Sequence, residues 1–240
     1  LDKKEGFDFR IIFQLLNQIQ RLNPNVVHSH LNTIKYLLLP MLFLNKTKYF
    51  HTIHNEPKRD AFGLDRLFNF LAFKHLRCRP IVLSEKSIIA VNDYYKIGSS
   101  LLVRNGIDFE KFIQTCNSNK VILDFMSKPD ELIIGHIGRF TDQKNHDFLI
   151  DIFTEVYKLS TNVKLILVGE GELKEEIRSK VSRLQLDDSV VFMGNIKNVD
   201  EVIRMFDVFV FPSKFEGFPI SLLEVQASKI PCVVSDKIDS

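Results

Sequence analysis

Short apolar runs alternate with longer stretches of helical periodicity along most of the chain. The runs predict strands at residues 25–29, 48–53, 80–84, 132–137, 163–168, 190–192, 208–211 and 232–235. They are nearly continuous in apolar character, as is typical of parallel strands that are covered on both faces. Helical patterns lie between them, for example at residues 148–158, 172–184 and 199–206. This alternation predicts an α/β protein with parallel sheets joined by right-handed crossovers.

A polar stretch at residues 114–120, followed by a poorly patterned segment up to Asp130, predicts a linker between two domains. We therefore expect domains at residues 1–120 and 121–240, each built on a doubly wound parallel sheet. In such sheets ligands bind beyond the carboxyl ends of the strands. The motifs described below all fall at such strand ends.

Composition narrows the class of protein. With 240 residues, 45% of them hydrophobic, the chain can bury a substantial core. Its three cysteines have no metal-binding spacing, which favours reduced thiols and a cytoplasmic location. The longest apolar run, residues 36–44, contains Pro40 and is much shorter than the roughly 20 residues of a membrane-spanning helix. Because the chain starts at Leu1 and shows no signal peptide, we interpret it as a fragment that lacks both ends.

The net charge of +2 conceals a basic first half and an acidic second half. Halves of opposite sign suggest two units with different partners, although ordinary surface variation produces the same pattern.

The segment from Gly138 to Asn145 places two cations in the loop between a strand and a helix. Gly138 ends the strand pattern and would allow a ligand to approach the backbone closely. Arg139 and Lys144 suit phosphate oxygens. Taken alone, the same residues fit a solvated loop with incidental charges.

A second candidate segment, residues 215–224, follows the strand at 208–211. Pro219 is well placed as the first residue of a helix, so the turn before it would present backbone N–H groups to an anion. Glu216 lies in the turn and Glu224 further along the helix, so the two carboxylates cannot share one helical face as an acid/base pair. They could contact two parts of one elongated ligand. Alternatively, Glu216 complements the helix dipole and Glu224 lies on the surface.

Four histidines lie at the predicted ends of the first two strands. His28 and His30 form a His-x-His pair, and His51 and His54 follow on the next strand. No third metal ligand has diagnostic spacing, so we expect one or two of them to donate hydrogen bonds in a cleft. His54 is the best placed for this role.

In combination these segments resemble the large family 4 of retaining glycosyltransferases, which have the GT-B fold. The matching segments, in the order of that family, are residues 23–30, 52–54, 103–108, 138–139 with 144–145, 167–171, 192–194, 211–213, 216 with 224, and 231–234. Residues 143–146 and 224–228 are similar to the branch that builds bacterial exopolysaccharide and capsule repeats. The resemblance implies two Rossmann-like domains facing a cleft, both incomplete here.

The resemblance also implies catalytic roles. Arg139 and Lys144 would hold the donor diphosphate, without a bound metal or other cofactor, and stabilise its charge as the glycosyl bond breaks. Glu216 would contact the donor sugar. His54 would reach into the cleft from the first domain and form a hydrogen bond with that sugar. The acceptor would attack the anomeric carbon from the same face from which the leaving group departs, so that the configuration at this carbon is retained.

Further donor-binding roles follow from the same resemblance. Gly138 would let the donor approach the backbone, and Gly217 and Phe218 would offer backbone amides to the sugar and phosphates. Glu224 would bind the ribose hydroxyls. The loop around Asn195 and Ile196 would meet the base.

One departure from the family pattern concerns the end of the helix that carries Glu224. The family has glycine two residues before Pro231, where this chain has Lys229. A residue other than glycine in a left-handed helix cap costs roughly 1–2 kcal/mol, unless the cap has another shape.

Partners are expected to be a nucleotide-sugar donor and a glycan or lipid-linked sugar acceptor. Residues 57–79 are basic and rich in Phe and Leu, which suggests contact with the anionic inner face of the plasma membrane. The alternative is a helix that packs this apolar face into the domain core. No motif for nucleic-acid binding accompanies the basic residues, so we expect no nucleic-acid partner.

Two other functions remain compatible with the motifs. A nucleotide-sugar 2-epimerase shares the architecture, and a non-catalytic remnant could bind nucleotide sugar without turnover. Donor binding without transfer or hydrolysis would identify the remnant, and release of an epimer from donor alone would identify the epimerase.

Overall fold

The computed structural model describes residues 6–113 and 130–238, which divide into two compact units, Leu1–Asn105 and Gly106–Ser240. The predicted linker at 114–120 lies outside the described residues. The division comes earlier in the chain than the expected boundary at 120/121. The reason is that Phe112 is buried in the core of the second unit, together with Leu222 and Val225.

The first unit is built on a four-stranded parallel sheet with the order β1-β2-β3-β4. Its elements, in chain order, are α1 (Phe9–Leu22), β1 (Val26–His30), α2 (Ile34–Phe43), β2 (Lys48–Ile53), α3 (Pro57–Asp60), α4 (Gly63–Lys74), β3 (Arg79–Val82), α5 (Glu85–Tyr95) and β4 (Leu101–Leu102).

The second unit is built on a five-stranded parallel sheet with the order β7-β6-β5-β8-β9. Its elements are α6 (Phe109–Ile113), β5 (Leu132–Ile137), a 3₁₀ turn (Asp142–Lys144), α7 (His146–Leu159), β6 (Val163–Val168), α8 (Lys174–Arg183), β7 (Val190–Gly194), α9 (Val199–Ile203), β8 (Val208–Phe211), α10 (Ile220–Ala227) and β9 (Cys232–Val234). The strand order reverses at β5, so the carboxyl ends of β5 and β8 form a topological switch point, where such sheets bind ligands.

The predicted strands are confirmed, four of them at the same residues: β2, β5, β6 and β8. The physical reason is visible in the second unit, where neighbouring residues of one strand enter opposite cores. Ile133 packs into the core beside α9 and α10, whereas Ile134 packs into the core beside α7. All six residues of β6 are buried. A strand covered on both faces is therefore mostly apolar along its whole length, which produces the sequence pattern.

The apolar residues of the segment 57–79 had two interpretations, packing into the domain core or contact with a membrane surface. Some of these residues are buried and others are exposed. Phe73 is buried in the core of the first unit, and Phe68 and Phe70 pack partly against that core. Phe62 and Leu64, by contrast, are 79% and 69% exposed at the start of α4. Among residues 6–113 and 130–238, no helix combines the length and apolar character needed to cross a bilayer.

The helix α10 ends in the left-handed conformation that the family pattern implies. Lys229 has φ +61°, and its backbone N–H donates to the carbonyl of Gln226 at 3.0 Å. The cap therefore keeps its shape although a side chain replaces glycine.

Candidate functional site

The loop between β5 and α7 is held against the loop that follows β8. Gln143 Nε2 donates to the carbonyl of Phe215 at 3.0 Å, and the backbone N–H of Lys214 donates to the carbonyl of Gln143 at 2.8 Å. Asn145, in left-handed conformation with φ +57°, donates through Nδ2 to the carbonyl of Pro212 at 3.2 Å. These bonds fix the two loops at the topological switch point of the sheet.

Lys144 and Glu216 form an ion pair at this point. Lys144 Nζ lies 2.8 Å from Glu216 Oε1, and the two side chains are only 16% and 8% exposed. The ammonium group also lies 4.6 Å from the centre of the Phe211 ring, within reach of a cation–π interaction. A cation and a carboxylate that the sequence places 72 residues apart are thus neighbours. The ammonium has three N–H donors, so two remain for a ligand.

Gly138 leaves the space in which the Lys144 stem packs. A Cβ atom at Gly138 would lie 3.1 Å from Lys144 Cδ and 3.0 Å from His136 Nε2. Both distances are tighter than ordinary van der Waals contact, so a side chain at position 138 would push Lys144 away from its place. Glycine at the end of β5 therefore leaves room for the Lys144 stem to pack.

Arg139 extends into solvent beside this pair. Its side chain is 74% exposed, and one terminal nitrogen lies 3.6 Å from Glu172 Oε2. An exposed ion pair of this length contributes little to stability, so the guanidinium can turn toward an anionic ligand at small cost.

A cavity of about 560 Å³ opens beside Arg139, at the carboxyl ends of β5, β6 and β7. It is lined by Ile137, Gly138, Arg139, Val168, Gly169, Glu170, Gly171, Asn195, Ile196 and Val199. Four predicted site residues, Gly138, Arg139, Asn195 and Ile196, therefore share one concave surface.

The sequence-based site prediction did not include Gly169, Glu170 and Gly171. Gly169 has φ +141°, and a Cβ there would lie 2.2 Å from the carbonyl oxygen of Gly138. Only glycine allows β5 and β6 to end so close together. Glu170 Oε1 accepts from Lys174 Nζ at 2.6 Å, on the wall of the cavity. The signal available in the sequence is a Gly-Glu-Gly triplet directly after a mostly apolar strand.

The turn before α10 carries the remaining donor-side residues. Gly217 and Phe218 are partly buried in this turn, and α10 begins at Ile220, with Pro219 at the N-cap. The predicted helix start is thus one residue early. Glu224 lies inside α10 and Glu216 outside it, in agreement with the prediction that they share no helical face.

The surroundings of Glu224 affect its ionisation. Burial raises the pKa of Glu224 above its ordinary value, and the Asp200 carboxylate acts in the same direction, whereas the Lys111 ammonium opposes both.

Two buried histidines that the sequence-based prediction left unassigned lie close to Lys144. His136 donates through Nδ1 to the carbonyl of Val210 at 2.8 Å, so its unpartnered Nε2 carries a lone pair. The His146 ring stacks on Phe140 at 4.0 Å, and neither of its nitrogens has a partner. Burial lowers the pKa of His136 to about 4 and that of His146 to about 3. Both imidazoles are therefore neutral near pH 7.

The four histidines of the first unit fall into two groups. His51 is fully buried on one face of the sheet, where its Nδ1 lies 2.9 Å from Ser29 Oγ, and burial lowers its pKa to about 3. His28, His30 and His54 cluster at the carboxyl end of the sheet, where His28 Nε2 lies 2.8 Å from Thr52 Oγ1. His51 is thus enclosed by the first unit, whereas His30 is exposed at the end of its sheet.

Within residues 6–113 and 130–238, no group of three His, Cys, Asp or Glu side chains is arranged to hold a metal ion. A reaction that proceeds without a metal stays a prediction of the family resemblance.

Comparison with known proteins places the site in a family. The fold matches that of GT-B glycosyltransferases: a structure of Anabaena Alr3699/HepE in complex with UDP-glucose superimposes with a TM-score of 0.79 at 17% identity, over 94% of this chain and 63% of that protein. Residues 123–240 match the family described as Glycosyl transferases group 1, so this part of the chain is a domain of that family. All the predicted donor-side residues lie within this match.

Two curated relatives that are similar to this chain in sequence are named as glycosyltransferases. EpsF of Bacillus subtilis (strain 168), which is named as a glycosyltransferase, is 39% identical over 140 residues, or 57% of this chain and 36% of that protein. An Escherichia coli enzyme, UDP-Gal:alpha-D-GlcNAc-diphosphoundecaprenol alpha-1,3-galactosyltransferase, is 24% identical over 242 residues, or 95% of this chain and 62% of that protein. The chain thus spans less than two thirds of the length of either relative.

Proposed function

We propose that the protein is a retaining glycosyltransferase that moves a sugar from a nucleotide-sugar donor to a glycan or lipid-linked acceptor in bacterial surface polysaccharide synthesis. The observation that carries the proposal is the buried Lys144–Glu216 pair at the switch point of the second sheet. The family match and the names of the relatives support the same reaction class. The relatives described above are glycosyltransferases by name and give no support to the epimerase alternative.

The charges of the site suit departure of a nucleoside diphosphate. As the glycosyl bond breaks, negative charge grows on the diphosphate and positive charge on the sugar ring. The two remaining N–H donors of Lys144 and the exposed guanidinium of Arg139 would supply positive charge for the phosphates. Glu216 lies beside the ammonium and would face the sugar, where a carboxylate both accepts from hydroxyls and stabilises the developing cation.

The cavity beside Arg139 is proposed to take the nucleoside. Asn195 and Ile196 would meet the base, as the resemblance implies, and Glu170 adds a carboxylate on the same wall. Uridine diphosphate sugars are the first donors to test. The Anabaena structure is bound to UDP-glucose, and the E. coli relative is named for UDP-Gal.

The lipid-linked acceptor also motivates a proposed membrane contact. The exposed Phe62 and Leu64 at the start of α4 lie next to the exposed cations Lys58 and Arg66. Apolar side chains flanked by cations suit the surface of an anionic bilayer.

The central test measures donor binding by the full-length protein with calorimetry, over UDP-, GDP- and other nucleotide sugars. Lys144→Ala removes a charge-assisted contact worth about 1.5–3 kcal/mol, so donor affinity should fall about 10- to 150-fold. Glu216→Ala should lower turnover by about 100-fold or more.

Lys214→Ala is the matched control, because Lys214 lies on the same loop as Glu216 and pairs with Asp142 at the surface. Its donor affinity should equal that of the parent. If no nucleotide sugar binds, or if Lys144→Ala and Glu216→Ala behave like Lys214→Ala, the site assignment is wrong. Tight donor binding with neither transfer nor hydrolysis would identify a non-catalytic remnant.

A further inference from the structure

We propose that His30 is a positioning residue for His54, and that the two imidazoles act as one hydrogen-bonding unit toward a sugar hydroxyl. The inference deepens the proposed function and rests on it. Nothing in the sequence pairs these two residues, because they lie on different strands and 24 positions apart.

The fold brings the two rings together at the end of the first sheet. β1 and β2 are parallel neighbours, and His30, the last residue of β1, lies opposite Thr52. His54 follows directly after β2. His30 Nδ1 lies 3.0 Å from His54 Nε2, which is a hydrogen-bonding distance for two ring nitrogens.

The hydrogen bond fixes what the pair presents to a ligand. Two neutral imidazoles carry two N–H protons on four nitrogens, and one of these protons lies between His30 Nδ1 and His54 Nε2. Of the two outer nitrogens, His30 Nε2 and His54 Nδ1, one then carries an N–H proton and the other a lone pair. This holds whichever of the two rings donates the shared hydrogen bond. A sugar hydroxyl is itself both a donor and an acceptor, so this outward pattern matches it in either tautomeric arrangement.

Neighbouring residues hold the pair in this state. The His28 ring lies 4.3 Å from that of His30 and is itself anchored to Thr52, so it supports the ring of His30. A hydrogen bond joins the Asp60 carboxyl group to the backbone of His54. Burial, together with the positive charges that His30 and His28 would carry, lowers the pKa of His54, which favours the neutral form of the His54 ring.

His30→Ala should therefore remove the orientation of His54 without removing His54 itself. The measurement is hydrolysis of the nucleotide sugar that binds best to the full-length protein, with kcat and KM for His30→Ala, His54→Ala and the double variant. We expect kcat to fall about tenfold or more in each single variant, with the double variant no worse than His54→Ala. Donor KM should change little, because the diphosphate contacts remain.

A conservative variant separates positioning from folding. The side-chain amide of His30→Asn places an N–H donor where Nδ1 lies, so it should restore kcat to within a few-fold of the parent, whereas His30→Ala should not. His75→Ala, which changes an exposed histidine of the same unit, is the control and should leave kcat unchanged.

Two results would overturn the inference: losses from His30→Ala and His54→Ala that multiply in the double variant, or an Asn variant no better than the Ala variant. Both results differ from those expected if the proposed function itself is wrong. If the proposed function is wrong, no donor binds, or Lys144→Ala leaves donor binding unchanged.

Discussion

At the scale of single residues, burial determines the charge state of the histidines around the candidate site. Neither His136 nor His146 has a carboxylate partner among the described residues: His136 donates to the carbonyl of Val210, and the His146 ring stacks on Phe140. A protonated imidazole there would also be repelled by the Lys144 ammonium. Because both imidazoles are neutral, Lys144 is the positive charge beside them. Its ammonium group pairs with Glu216 and, in the proposed function, would also bind a donor phosphate.

These histidines should make stability depend on pH. In the unfolded chain they bind protons below about pH 6.5, whereas in the folded protein His136 and His146 do so only near pH 4 and 3. The unfolded state therefore binds more protons between about pH 6.5 and 4. The free energy of unfolding should fall as the pH drops through this window, by up to about 1.4 kcal/mol per pH unit for each histidine.

The variant His146→Phe tests this, because an apolar ring of similar size suits the stack on Phe140. Denaturant unfolding between pH 7 and 4.5 should show a flatter pH dependence than in the parent. His75→Gln, an exposed position, should keep the parent slope. An unchanged slope in His146→Phe would show that His146 titrates normally.

At the scale of elements, strands were predicted more closely than their loops. The residues of β5 and β6 are mostly apolar because two cores cover them, so the ends of these strands coincide with the ends of the apolar runs. Helix ends depend on capping contacts that follow no such pattern. α7, for example, begins at His146, two residues before the predicted start, because Asn145 takes a left-handed conformation.

The cap of α10 gives a test at this scale. Lys229 has φ +61°, a conformation that costs a residue with a side chain roughly 1–2 kcal/mol of stability. Glycine avoids this strain, but it also increases the conformational entropy of the unfolded chain, which cancels part of the gain. Lys229→Gly should therefore raise the free energy of unfolding by about 0.5–1 kcal/mol and Tm by a few degrees.

Lys197→Gly is the matched control for this prediction. Lys197 is exposed, lies outside the helices and strands, and is absent from the residues with positive φ. Glycine there should leave stability unchanged or lower it slightly. A Lys229→Gly variant no more stable than the control would argue against strain in the cap.

At the scale of the whole molecule, the basic first half and acidic second half correspond closely to the two compact units. The division lies before α6, because Phe112 enters the core of the second unit. The proposed acceptor contact and the exposed apolar residues of α4 belong to the basic unit, and the proposed donor site belongs to the acidic one. The basic charge of the first unit thus suits the proposed contact with anionic lipid.

Vesicle binding tests the membrane contact. Phosphatidylcholine vesicles that contain phosphatidylglycerol should bind the full-length protein, and vesicles of phosphatidylcholine alone should bind it more weakly. Phe62→Ser should reduce binding about tenfold or more, because burying a Phe side chain contributes roughly 1.5–3 kcal/mol. Phe13→Ser, at a Phe that is 59% exposed on α1, should have no effect. Equal effects of both variants would contradict the proposed surface.

The amino-acid sequence is sufficient to predict the parallel α/β class, most strands and the segments that carry the candidate chemistry. Those features depend on local periodicity and on short motifs, which a linear chain records. The contacts among these residues appear only in the folded chain: Lys144 pairs with Glu216, His30 with His54, and Glu170 and Arg139 line one cavity. Each of these groups joins loops from different strands. Their proximity depends on strand order and on side-chain packing, neither of which leaves a pattern along the chain.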